Sequence, residues 1–121
     1  MSEVKDLLGR TLSNVAVGEE EIIFTCDDGK QFKMYHSQDC CESVTVEDVV
    51  GEIEDLIGSP LLMAEEVMHT NENPEGAPVK EYQYSYTWTF YKFATIKGYV
   101  TIRWYGESNG YYSESVDFVA V

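Results

Sequence analysis

Basic side chains are scarce in this 121-residue chain: 8 Lys and Arg stand against 22 Asp and Glu, a formal net charge of −14. So few cations argue against a sequence-independent grip on DNA or RNA, which needs a positive surface. They also disfavour attachment to an anionic membrane face. Cysteine is sparse too, and three residues, an odd number, fit a reducing compartment better than a disulfide framework. No apolar run approaches the roughly 18 to 20 residues of a membrane span. The opening Met-Ser-Glu-Val-Lys-Asp holds no apolar h-region, so no secretory signal is expected. Walker A, G-x-G-x-x-G, H-E-x-x-H and G-x-S-x-G motifs are all missing. Their absence counts against the common nucleotide-dependent and hydrolytic mechanisms, and no cofactor is expected.

What is present is a core-forming composition, 44% hydrophobic and 13% aromatic, too apolar for an acidic disordered tail. The length fits one domain spanning 1–121. Charge and bulk are segregated along it. Residues 1–81 hold 19 acidic and 5 basic side chains, and residues 82–121 hold 3 of each. Thirteen of the 16 aromatics lie from Tyr82 onward. Neither piece could easily bury a core alone, so the split is not read as a domain boundary.

The pattern predicts an α+β fold, mainly antiparallel sheet, with one short amphipathic helix near 47–57. One or two helical turns fit Glu3 to Leu8, stopped by Gly9. A short strand at Leu12 to Val17 precedes a hairpin from Glu21 to His36, in which Asp27-Asp28-Gly29-Lys30 makes the turn. Val49, Val50, Ile53, Leu56 and Ile57 recur at three- and four-residue steps, which reads as a helix with Glu47 and Asp48 in its first turn. Gly51 interrupts the pattern, and Gly58-Ser59-Pro60 ends it. A strand follows from Leu61 to Met68, then an exposed mobile loop at 70–78 rich in Asn, Glu, Gly and Pro. Tyr82, Tyr84, Tyr86, Trp88 and Phe90 alternate with Gln83, Ser85, Thr87 and Thr89, the mark of a half-buried strand. Tyr99 to Tyr105 and a last strand ending in Val116, Phe118 and Ala120 complete a C-terminal three-stranded meander.

Two stretches are distinctive: His36-Ser-Gln-Asp39-Cys40-Cys41-Glu42-Ser-Val, and Trp88-Thr-Phe-Tyr91 with Gly98-Tyr-Val-Thr-Ile-Arg103-Trp-Tyr-Gly106-Glu-Ser-Asn-Gly110-Tyr-Tyr-Ser-Glu-Ser-Val. On these the chain resembles a family of small uncharacterised proteins encoded mainly by bacteriophages and prophages, a domain of unknown function. The resemblance implies a phage gene expressed in the cytoplasm of a bacterial host. It brings no activity, cofactor or catalytic residue.

Three groups of residues are candidates for function. His36, Asp39, Cys40, Cys41 and Glu42 are all zinc-ligand types, and His36 could serve as base for Cys40 or Cys41. The spacing lacks a C-x-x-C pair, and adjacent cysteines on an extended strand point apart, so a structural role is preferred. The aromatic strand from Tyr82 to Phe90 could stack bases, but its regular alternation suits a sheet core better. Near it, Lys97 and Arg103 are weak candidates for a phosphorylated ligand. The third group is Glu19, Glu20, Glu21, Asp27, Asp28, Glu47, Asp48, Glu52, Glu54 and Asp55, with Glu65 and Glu66, which could form one negative docking face.

The expectation is a non-enzymatic interaction protein that inhibits a host or defence-system protein by binding it. An anti-CRISPR or other anti-defence role and mimicry of nucleic acid are among its forms. The rival is a small-molecule or metal-binding protein centred on the His36 to Glu42 cluster or on a pocket near Arg103. No direct nucleic-acid or membrane partner is expected, and an exposed strand edge leaves a homodimer open.

Overall fold

In the computed structural model, which describes residues 3–38, 42–70, 85–108 and 113–121, the described chain is almost entirely antiparallel β-sheet with no α-helix. A 3-10 turn at Val4–Leu7 leads into β1 (Leu12–Val17), β2 (Glu21–Cys26), β3 (Gln31–Tyr35) and β4 (Ser43–Val50). A second 3-10 turn at Ile53–Leu56 precedes β5 (Met63–Thr70), β6 (Ser85–Thr95), β7 (Gly98–Ser108) and β8 (Asp117–Ala120). The strands form two four-stranded sheets, ordered β1-β2-β3-β8 and β4-β7-β6-β5.

The expected α+β class is therefore wrong, and the reason lies in the segment 47–57. Its first residues extend β4, where a bulge between Val46 and Asp48 shifts the register against β7. A bulge inserts one extra residue and breaks the two-residue alternation. Gly51 then takes φ 111°, and Ile53–Leu56 makes a single 3-10 turn. A bulged strand, a turn and a 3-10 segment together reproduce three- and four-residue apolar spacing without a helix. β-branched Val44, Val46, Val49 and Val50 favour the strand.

The three-stranded C-terminal meander also needs correction. β6 and β7 pair through a tight turn as expected, but β8 leaves them and pairs with β3 in the other sheet. Phe118 stacks on Phe32 there, with ring centroids 5.4 Å apart. The N-terminal hairpin forms as the sequence indicates: Gly29 sits at φ 88°, and Phe24 pairs with Phe32 across β2 and β3. The loop expected at 70–78 lies, after Thr70, outside the described residues.

One hydrophobic cluster fills the space between the two sheets, as in face-to-face sheet packing. Ile22, Phe24, Phe32, Met34 and Phe118 come from the first sheet, and Tyr91, Phe93, Val100, Ile102 and Trp104 from the second. Phe24 meets Phe93 with centroids 5.5 Å apart, and the Trp104 indole N–H donates to the Met34 sulfur at 3.2 Å. On β6 the main core receives Tyr91 and Phe93, so the inward face is the odd-numbered one that carries Thr87 and Thr89. Trp88 is fully buried as well, against Tyr105 on the opposite face.

The two long sides of the sandwich differ. On one side, the Val46 N–H donates to the Glu19 carbonyl at 2.7 Å, and the Gly58 N–H donates to the Leu12 carbonyl at 2.9 Å. Residues 47–56 therefore run the length of β1. On the other side, β5 and β8 leave a cleft between them, closed at one end by the Val4–Leu7 turn.

Candidate functional site

The acidic side chains gather around β1 and its neighbour segment. Glu19 and Glu20 occupy the exposed β1–β2 turn, next to Val46 and hence to Glu47 and Asp48. Glu52, Glu54 and Asp55 follow on the 3-10 segment that continues along β1. Asp27 and Asp28 lie in the β2–β3 turn at the far end, where the Asp27 N–H donates to the Thr11 carbonyl at 2.9 Å. β1 spans about 20 Å at ordinary strand rise, so these groups border one side of the molecule from end to end. Glu65 and Glu66 lie on β5, along the opposite side.

Several of these carboxylates are already engaged. Arg103 on β7 takes Glu47 at 2.5 Å and Asp48 at 3.4 Å, while its guanidinium lies 5.6 Å from the centre of the Trp88 ring. Glu21 pairs with Lys33 at 3.3 Å, and Asp28 with Arg10 at 3.6 Å. Glu19, Glu20, Asp27, Glu52 and Glu54 are exposed and make no ion pair among the described residues. Along the β1 side, those five are the charges available to a partner.

Arg103 and Lys97 are not brought together. The Lys97 Nζ donates to the Ile57 carbonyl at 2.6 Å in the β6–β7 turn. Arg103 lies about 17 Å farther along β7 at strand rise, fully engaged by its carboxylates. Both cations thus hold the fold in place. The aromatic strand is equally occupied. Tyr86 stacks on Tyr105 at 6.3 Å and Trp88 packs on it at 4.5 Å, leaving Trp88 no exposed face for a base. Tyr82 and Tyr84 lie outside the described residues.

Within the His36 to Glu42 cluster, the structure joins the two ends. His36 Nδ1 lies 2.7 Å from the Ser115 carbonyl, and Nε2 lies 3.1 Å from Glu42 Oε2. Both side chains are almost completely buried, at 4% and 1% exposure. Glu42 also accepts from the Gln38 amide at 3.0 Å through Oε1. The Ser115 carbonyl can only accept, so Nδ1 is the donor in that bond. This arrangement pins the end of β3 to the start of β4 and to the approach to β8, which suits a structural pair. Asp39, Cys40 and Cys41 lie outside the described residues, and among the described ones no group of three or more His, Cys, Asp or Glu could hold a metal. Cys26 is buried in the core, and burial pushes its thiol pKa up, away from the reactive thiolate.

The cleft between β5 and β8 is lined by Glu65 and Glu66 from the acidic group and by Ala64, Val116, Asp117 and Phe118, which sequence patterns did not single out as a site. Alternation placed Tyr91 on the odd face of β6 but could not show which face was inward. No described helix is long and apolar enough to cross a membrane.

A family model described as a domain of unknown function (DUF7448) matches residues 5–118. No curated protein and no solved structure matches the chain.

Proposed function

We propose that this chain, which belongs to the DUF7448 family over nearly its whole length, is a non-enzymatic binding protein. It docks on a basic surface of a nucleic-acid-handling or defence enzyme and blocks it. The observation that carries this reading is the set of exposed carboxylates with no ion pair among the described residues, Glu19, Glu20, Asp27, Glu52 and Glu54, bordering β1. Carboxylates presented in this way can occupy a groove built for phosphates, and they steer association at long range. The missing catalytic motifs support a binding role, and the resemblance to phage-encoded proteins supports action on a host protein in the bacterial cytoplasm. Arg103 is ion-paired with Glu47 and Asp48, and Lys97 donates to the Ile57 carbonyl away from it, so the two cations do not form a joint site for a phosphorylated ligand.

Capture from a bacterial lysate on the immobilised protein tests the reading. One nucleic-acid-handling protein should be retained at low salt and released at about 0.5 M, where screening shortens to a few ångströms. A variant carrying Glu19→Gln, Glu20→Gln, Glu52→Gln and Glu54→Gln should retain none. An association that barely weakens with salt, or that survives the fourfold variant, would overturn charge-led docking.

A further inference from the structure

Each long side of the sandwich brings two strand edges together, and the fold treats the two sides differently. On the β1 side the chain covers its own edges: the Val46 N–H donates to Glu19, the Gly58 N–H donates to Leu12, and isolated bridges join Leu12 to Ile57 and Thr11 to Pro60. On the other side β5 pairs only with β6 and β8 only with β3, and a cleft of about 510 Å³ lies between them. In an antiparallel ladder every second residue turns its N–H and C=O away from the partner strand. Among the described residues, 63–68 and β8 make no backbone–backbone bond outside those two ladders.

The lining shows that the cleft opens on the edges themselves. It is bordered by Ala64, Glu65, Glu66 and Val67 in succession, and by Val116, Asp117 and Phe118 at β8. Successive side chains of a strand point to opposite faces, so a cleft that touches four in a row meets β5 along its edge. Four residues span about 13 Å, with apolar side chains at the ends and carboxylates at the centre. The edges make the site, and the carboxylates select its occupant. If a second copy added to this stretch in the antiparallel register that matches Ala64 to Val67, each Glu65 would stand opposite a Glu66, and like charges directly opposite repel. Asp117, held by the Ser37 N–H at 3.2 Å, adds a carboxylate across the cleft, while Lys5 at its end is paired with Glu3 at 3.0 Å. The features that turn away a copy of this chain therefore favour a strand that carries cations.

We propose that the β5 edge docks an extended basic segment of a partner protein, which adds to the sheet as a further strand. Two adjacent Lys or Arg of that segment stand opposite Glu65 and Glu66, and apolar residues stand opposite Ala64 and Val67. In strand addition the main chain supplies affinity and the alternating side chains supply specificity. Glu66 lies on the same face as Tyr91, its partner in the β5–β6 ladder, and Tyr91 belongs to the core. The cation opposite Glu66 therefore enters the cleft toward Asp117, and the cation opposite Glu65 lies on the outer face. This surface is on the opposite side of the molecule from the carboxylates bordering β1 and does not depend on docking there.

Titration of the full-length protein with the peptide acetyl-Thr-Val-Lys-Lys-Val-Thr-amide at neutral pH, followed by backbone amide shifts, tests this. Saturable shifts centred on β5, β8 and the Val4–Leu7 turn are expected. The same peptide with Glu-Glu in place of Lys-Lys should bind about tenfold more weakly or worse. Two further Lys-Lys peptides, N-methylated at alternate residues in the two possible phases, separate strand addition from plain charge attraction. A ladder uses the amides of one phase only, so one of them should lose about tenfold in affinity and the other should stay within about threefold. The double variant Glu65→Lys, Glu66→Lys, altered at two exposed positions, should invert the preference and bind the Glu-Glu peptide better, which a merely weakened fold would not do. The fourfold variant at 19, 20, 52 and 54 should bind the Lys-Lys peptide as the wild type does, so failure of the docking reading leaves this site standing. No saturable shift on β5, equal affinity of the two N-methylated peptides, or an unchanged preference in the double variant overturns the proposal. Peptide affinity that falls as protein concentration rises would assign the edge to a second copy and overturn it as well.

Discussion

A tyrosine with no exposed surface ordinarily finds a partner for its hydroxyl, because an unpaired buried hydroxyl costs about 1–3 kcal/mol. Among the described residues Tyr91 finds none, and Thr89, two residues earlier on the same face, leaves its hydroxyl unpartnered as well. The cost at Tyr91 is tied to the neutral form: burial and then the nearby Glu66 and Asp117 raise its pKa above the ordinary 10.0. The native state therefore keeps the proton at a pH where the unfolded chain releases it. Stability from this group is fully present below about pH 10 and is lost as pH rises beyond it. Tyr91→Phe should be as stable as the wild type at neutral pH, or more stable by up to about 1 kcal/mol. That advantage should widen above about pH 10, because the variant has no phenol to deprotonate. Urea melts of both proteins at neutral and alkaline pH read the difference, and parallel pH curves would remove Tyr91 as the titrating group. His36 and Glu42 show the contrasting solution, since each buried polar atom described there has a partner within 3.1 Å.

The segment 47–57 shows how far an element can be read from its own residues. Its apolar spacing fits a helix, and only the pairing of β4 with β7, some 55 residues away in sequence, selects strand. Gly51 separates the two interpretations experimentally. In an exposed helix interior, Gly51→Ala would stabilise by about 1 kcal/mol. In the observed turn φ is 111°, and an added Cβ would meet the Tyr99 carbonyl oxygen at 2.5 Å. Gly51→Ala should instead destabilise by about 1–3 kcal/mol, measured as a lower urea midpoint with unchanged slope. The β2–β3 hairpin was legible because its information is local: Asp27-Asp28-Gly29-Lys30 makes the turn, and alternation places Phe32 and Met34 inward. The partner of β8 was not legible, because Phe118 and Ala120 carry nothing that prefers β3 to β7. The same limit hid the Arg103 pairing with Glu47 and Asp48, which the β4 bulge and the β4–β7 register create together.

At the scale of the whole molecule, composition announces the net charge of −14 but not its arrangement, which depends on two backbone ties. The Glu19 carbonyl accepts from Val46 and the Leu12 carbonyl accepts from Gly58, and these lay 47–56 along β1. Carboxylates from three separate stretches thereby border one side, while Glu66 and Asp117 face the opposite cleft. Gathering like charges works against folding, since each exposed carboxylate along β1 repels its neighbours and Glu19, Glu20, Glu52 and Glu54 make no ion pair among the described residues. The free protein should therefore be more stable in high salt than in low. Raising salt from about 0.02 M to 0.5 M shortens the screening length from about 20 Å to a few ångströms, and the melting temperature should rise by several degrees. The fourfold glutamine variant should match or exceed wild-type stability in low salt, by up to about 1 kcal/mol, and should respond less to added salt. Both effects are read from thermal melts across a salt series. If the variant is less stable than the wild type and equally salt-sensitive, these carboxylates contribute favourable contacts to the fold, and repulsion along β1 is not the dominant interaction. If it is more stable yet loses its captured partner, the carboxylates are retained at a cost to folding, as expected of groups that serve binding rather than structure.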